Sequence, residues 1–129
     1  MSQEDVEIVR QGLESFVAGA INWETMDEEI EIHDHDILDA GQYRGHSGFA
    51  RWVEDWGAGL PVVSIELQEF IDADECVVAV FLLKAKPRGG SVDVERQDAI
   101  VYKVRNGKIH RLDYYNSKQQ ALEAAGLAQ

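Results

Sequence analysis

From Val62 to Tyr115 the chain reads as four strand-like runs with interruptions too short for anything but hairpins, and this limits the fold more than any other feature. The runs are Val62 to Phe70, Cys76 to Lys84, Val92 to Val104 and Lys108 to Tyr115, broken by "DADE", "PRGG" and "RNGK". Parallel neighbours need a crossover of about a dozen residues or more, so short breaks predict an antiparallel meander. Asn106-Gly107 is the sharpest of the turn signals, because a two-residue hairpin of the primed type needs positive φ at both central positions.

Upstream the apolar period is helical. Val6, Val9, Leu13, Phe16, Val17 and Ala20 follow a Ser2 cap signal and predict a first helix with one core-facing stripe. Asn22 is placed to cap a short second helix with apolar Trp23, Met26 and Ile30. Ser47 starts a third, with Phe49, Trp52, Val53 and Trp56 on one side and Gly57, Gly59 and Pro61 ending it. Ser117 to Gln120 matches a capping box before "ALEAAG", with Gly126 closing the last helix. Helices first and a curved antiparallel sheet afterwards give an α+β fold in which helices cover one sheet face. With 129 residues and 45% hydrophobic content, residues 1–129 are expected to form a single domain around one core.

Charge and patterning exclude several classes of partner. A formal net charge of -12 with scattered Lys and Arg argues against nucleic acid and anionic membranes, which select clustered basic residues. Neither an 18-residue apolar run nor a charged-then-apolar leader at Met1 is present, so a cytoplasmic location is the default expectation. The lone Cys76 lies within "CVVAVFLL", where a small thiol packs well and no basic neighbour would activate it.

Several stretches resemble one family. The order of helices, "EIHD", "YRGHSGFARWVEDW", a four-strand meander with "VRNGKIHRLDYY" and the tail "ALEAAGL" is similar to SnoaL-like proteins of the nuclear transport factor two-like superfamily, over nearly the whole chain. The resemblance implies a cone-shaped α+β fold, with N-terminal helices wrapped around a curved antiparallel sheet and a pocket between them, and often a homodimer. Ketosteroid isomerase, limonene epoxide hydrolase, polyketide cyclases and non-catalytic binding domains share that superfamily, so fold does not settle function.

Candidate site residues follow from parity and from this resemblance. If Ile30 and Ile32 face the core, period two sends Asp34 the same way and turns His33 and His35 outward. The resemblance places Asp34 where ketosteroid isomerase keeps its proton-shuttling aspartate; desolvation there would raise its pKa and suit it to act as a base. Its other reading is a strand-end aspartate bonded to the following loop. His33-x-His35 offers two imidazoles to a metal, yet no third ligand stands at a characteristic spacing, so neither metal nor cofactor is expected.

On the third run Arg96, Asp98, Ile100, Tyr102 and Val104 share a face. Asp98 there would resemble the second acid of ketosteroid isomerase, although counting from Asn106-Gly107 puts it about one position off, and an exposed strand aspartate is the competing reading. Trp52 and Trp56, four apart, are candidate walls for a flat ligand, with Phe16, Ile100 and Tyr102 beside them. On the last run one of two sets faces the cavity, Arg111, Asp113 and Tyr115 or His110, Leu112 and Tyr114. Parity leaves the choice open, and Arg111 and Tyr115 enter as candidate ligand contacts.

Two departures from the enzyme relatives matter. Phe16 stands where ketosteroid isomerase has the tyrosine that donates to its oxyanion, a loss of about two to three orders of magnitude in rate, so steroid isomerisation is not expected. The Asp-Arg-Asp set of the epoxide hydrolases could be imitated by Asp34, Asp98 and Arg96 or Arg111 only if an arginine turns inward. Three functions remain open: a cofactor-independent isomerase, cyclase or hydrolase using Asp34; a binding domain for a small hydrophobic or aromatic ligand; and a protein-interaction domain. A polar, acid-containing cavity would favour the first, a wholly apolar one the second and a filled one the third. Ala99 and Val101, on the outward face of the sheet, lead to the expectation of a homodimer.

Overall fold

The computed structural model describes residues 3–35, 41–59, 62–86 and 93–127. Helix α1 spans Gln3–Val17, a 3-10 turn covers Trp23–Thr25, and strands β1 (Met26–Asp34) and β2 (Gly41–Arg44) lead into helix α2 (Gly45–Gly59). Strands β3 (Val62–Asp72), β4 (Val77–Ala85), β5 (Val94–Arg105) and β6 (Lys108–Tyr115) follow, and helix α3 (Lys118–Ala124) comes last. The six strands lie in the order β2-β1-β6-β5-β4-β3, giving an α+β fold on an open sheet.

The meander from β3 to β6 is antiparallel throughout, as the short breaks require. Asn106 (φ 54°) and Gly107 (φ 77°) both take the left-handed region that their hairpin demands. Ser117 caps α3 by accepting from the Gln120 amide at 3.1 Å. Its other end closes with Gly126 N donating to Glu123 O and Leu127 N to Leu122 O. The proposed Ser2 cap, Val92 and the "PRGG" turn lie outside the described residues.

Two expectations need correction. The second helix is absent: only Trp23–Thr25 turns, and Met26 opens a strand. Asn22 makes no side-chain cap; its carbonyl accepts from Thr25 instead. The spacing of Met26 and Ile30 fits a helix, but Ile30, Ile32 and Asp34 continue it at period two, and the buried positions follow the strand. A register shift between Met26 and Glu31 lets both patterns coexist. The sheet is also mixed, because β1 runs parallel to β6 while pairing antiparallel with β2. β1 and β6 are separated by most of the chain, which is the long crossover a parallel pair needs.

The core lies between one sheet face and helices α1 and α2. Val9, Ile30, Ile32, Phe81, Leu83, Leu112 and Tyr114 are buried there, each aliphatic side chain contributing about 1.5–3 kcal/mol by leaving water. Gly45, in the "YRGHSG" stretch, turns β2 into α2 at φ +77°, a conformation L side chains rarely adopt. On the other face α3 packs Ala121 onto Val78, Val80, Ala99 and Val101. Ala99 and Val101, the residues that suggested a dimer, are therefore already buried within one chain.

Candidate functional site

Between the concave sheet face and the two long helices lies a partly open cavity of about 60 Å³. α1 supplies Val9, Leu13 and Phe16; α2 supplies Phe49, Trp52 and Trp56; the sheet supplies Ile30, Phe81, Ile100, Tyr102, Leu112 and Tyr114. Helical spacing brings Trp52 and Trp56 to one side of α2, and both rings meet Tyr114 edge-on at 5.9 and 6.2 Å. Five of the residues singled out from the sequence, Phe16, Trp52, Trp56, Ile100 and Tyr102, thus form one wall system. Burial pushes the Tyr102 hydroxyl well above its ordinary pKa.

The two candidate acids stand behind that wall. Asp34 is buried on the core side of β1, with His33 half-buried and His35 exposed on the other side, as period two requires. Trp52 Nε1 donates to Asp34 Oδ2 at 2.7 Å, so the indole lies between this carboxylate and the cavity it lines. Asp98 is fully buried rather than exposed, and Arg96 does turn inward to it, with Nε and Nη2 each at 2.8 Å from a carboxylate oxygen. The Tyr114 hydroxyl donates to the same carboxylate. Burial works against the Arg96 charge, but Asp98 more than offsets it and holds the guanidinium pKa above its usual value. Tyr114 is pushed far up, first by burial and then by the adjacent Asp98 charge.

Arg111 and Tyr115 correct the reading of the last strand: Leu112 and Tyr114 line the cavity, and Arg111, Asp113 and Tyr115 occupy the outer face. There Arg111 forks onto Asp113 at 2.9 and 3.1 Å, His35 Nε2 meets Asp113 Oδ1 at 2.8 Å, and the His35 ring stacks on Tyr115 at 4.6 Å. Burial alone would raise the Asp113 pKa; Arg111 and His35 outweigh it and hold the carboxyl below the usual range. His33 turns to Glu31, at 3.1 Å. Each histidine of "HDHD" thus has an acid of its own, and among the described residues no three His, Cys, Asp or Glu side chains gather as a metal-ligand set.

Phe81 and Tyr114 are among the wall residues not singled out as ligand contacts. A usable signal existed: Arg111 and Asp113 make the rejected set of β6 the charged one, while Leu112 marks the other as apolar. The cross-strand bond from Tyr114 to Asp98 had no local signal.

A SnoaL-like domain profile matches residues 10–112. Among solved structures, TerC co-crystallized with polyporic acid superposes with TM-score 0.76 at 17% identity, covering 95% of this chain and 98% of that one. An NTF2-like protein of unknown function from Burkholderia pseudomallei gives TM-score 0.70 at 15% identity, covering 93% and 95%. A protein from Jannaschia sp. CCS1 that carries a SnoaL-like polyketide cyclase name gives 0.73 at 16%, covering 99% and 94%. At these identities the likeness concerns the fold. No curated protein matches the sequence. No helix among the described residues is long and apolar enough to cross a membrane. With most of its length, including both pocket tryptophans and the inward Arg96-Asp98 pair, inside the matched region, the chain belongs to the SnoaL-like domain family.

Proposed function

We propose that this domain binds a small, flat, largely apolar molecule between the Trp52 and Trp56 rings and the concave sheet face. One observation carries the reading: the wall is apolar, while both nearby acids are engaged within the protein, Asp34 by Trp52 and Asp98 by Arg96 and Tyr114. Co-crystallization of TerC with polyporic acid supports a small-molecule role for the fold. The volume of about 60 Å³ is less than half the ~150 Å³ of a dry cavity known to take up benzene, so the enclosed part receives only the edge of a ring, and the rest of the ligand extends through the open side. Titration calorimetry with indane tests this. Binding with a negative heat-capacity change is expected, and Ile65→Phe, which fills the cavity from its half-buried wall, should weaken it. Absence of heat up to the solubility limit of indane would remove the proposal.

A catalytic reading is favoured by one further observation. Asp34 is buried on the concave side and accepts from the Trp52 indole, which lines the cavity, so rotation of that ring would present a desolvated carboxylate to a bound carbon acid or epoxide. The corresponding activity is cofactor-independent isomerisation, cyclisation or hydrolysis with Asp34 as acid/base. Asp34→Asn should then abolish turnover while indane still binds; retained turnover would remove Asp34 from the chemistry. Homodimerisation through the outer sheet face belongs to the same proposal. It draws on the charged and aromatic surface of Glu31, His35, Arg44 and Tyr115 rather than on Ala99 and Val101, and a monomer mass by light scattering at micromolar concentration would contradict it.

A further inference from the structure

The two pocket tryptophans differ in one respect that bears on what the ligand must carry. Trp52 Nε1 is committed to Asp34 at 2.7 Å. Trp56 Nε1 is buried and has no hydrogen-bond partner among the described residues, although Trp56 is itself part of the cavity wall. Buried donors are nearly always satisfied, so one left open in a binding cavity calls for an explanation.

Its surroundings narrow the choice of acceptor. The Trp56 N–H points loosely at the Tyr114 hydroxyl, close enough to ease that group's ionisation but short of full hydrogen-bond geometry, so the contact leaves the donor open to a better-placed acceptor. Tyr114 cannot turn its own proton to a ligand without giving up Asp98, whose carboxylate is fixed in the Arg96 fork and only accepts. Phe16 lies against the same indole, with ring centroids 6.5 Å apart. The corner formed by Trp56 and Tyr114 therefore presents an unused N–H inside an otherwise apolar enclosure.

We infer that the Trp56 indole N–H is the polar anchor of this pocket, and that the ligand is an apolar ring system bearing a hydrogen-bond acceptor, such as a ketone or quinone oxygen, directed at that corner. The inference rests on the apolar-pocket reading above and adds to it the class of ligand and the residue that selects it. An apolar pocket alone favours the plain hydrocarbon, because burying a carbonyl without a donor costs free energy. A pocket with a waiting donor reverses the preference.

The probes are indane and 1-indanone, which share a ring skeleton and differ by the carbonyl. In wild-type protein 1-indanone should bind at least as tightly as indane. In Trp56→Phe the ketone should lose about tenfold relative to indane, since one missing hydrogen bond of ~1.4 kcal/mol is a factor of ten. Proton–nitrogen NMR of the wild-type tryptophan side chains removes any dependence on how well the variant folds: the Trp56 indole N–H signal should move downfield with 1-indanone and much less with indane. If indane binds while the ketone is disfavoured equally in both proteins, or if the Trp56 signal ignores the ketone, the anchor is refuted and the apolar pocket survives. Failure of both probes to bind would overturn the two readings together.

Discussion

β5 and β6 are neighbours, and each carries an arginine and an aspartate two residues apart, but the two pairs lie on opposite faces of the sheet. Arg96-Asp98 is on the concave side, with Asp98 fully buried; Arg111-Asp113 is on the outer side, with Asp113 at 9% and Arg111 at 36% exposure. The local chemistry is the same, a guanidinium fork on a carboxylate. What differs is the third partner. Inside it is the hydroxyl of Tyr114, whose ring forms cavity wall; outside it is His35, whose ring is exposed and stacks on Tyr115. The inner pair fixes a wall, and the outer pair ties the ends of two strands together at the surface.

The comparison breaks most sharply if the inner pair is removed. Asp98→Ala takes the shared carboxylate away from the half-buried Arg96 guanidinium and the buried Tyr114 hydroxyl, and should cost about 3 kcal/mol in urea unfolding. Tyr114→Phe keeps the ring and the ion pair and deletes one hydrogen bond to a charged group. A loss of about 2 kcal/mol is expected, with an unchanged dependence on denaturant.

On the outer face Asp113→Asn should cost less, about 1 kcal/mol, because Arg111 and His35 are both more than a third exposed and water screens them. The folded pKa of Asp113 is lowered, so its contribution is present above the unfolded value of about 3.9 and is lost as pH falls through the folded one. Unfolding of wild type and Asp113→Asn should therefore differ at pH 6 and converge near pH 2; a gap that widened on acidification would reverse the assignment. Smallest of all, His35→Phe preserves a ring against Tyr115 and removes only the contact to Asp113, for about 0.5 kcal/mol near neutral pH.

Legibility in the sequence followed the range of the interaction. The Asn106-Gly107 hairpin, the Ser117 cap, the four-run meander and the alternation that buries Asp34 depend on residues a few positions apart, and all could be read directly. The helical reading of Trp23 to Ile30 failed because Met26 and Ile30 satisfy both periods until the register shift is known. β2 and the parallel pairing of β1 with β6 depend on partners distant in sequence, as does the placement of Tyr114 against Asp98. The same limit applies to the site. Spacing along α2 identified the two tryptophans as a wall, but only the folded chain shows that one indole N–H is taken by Asp34 and the other is not.

The central claim is that the cavity is apolar because its acids are spent within the protein, and xenon tests it most directly, since a dry apolar cavity admits the gas where a polar one holds water. Diffraction from a crystal pressurised with xenon should show a peak among Trp56, Phe81 and Tyr114. Ordered waters at that position instead, bonded to Asp34 or Asp98 and not displaced by the gas, would contradict the claim and make the site a hydrated acid cavity.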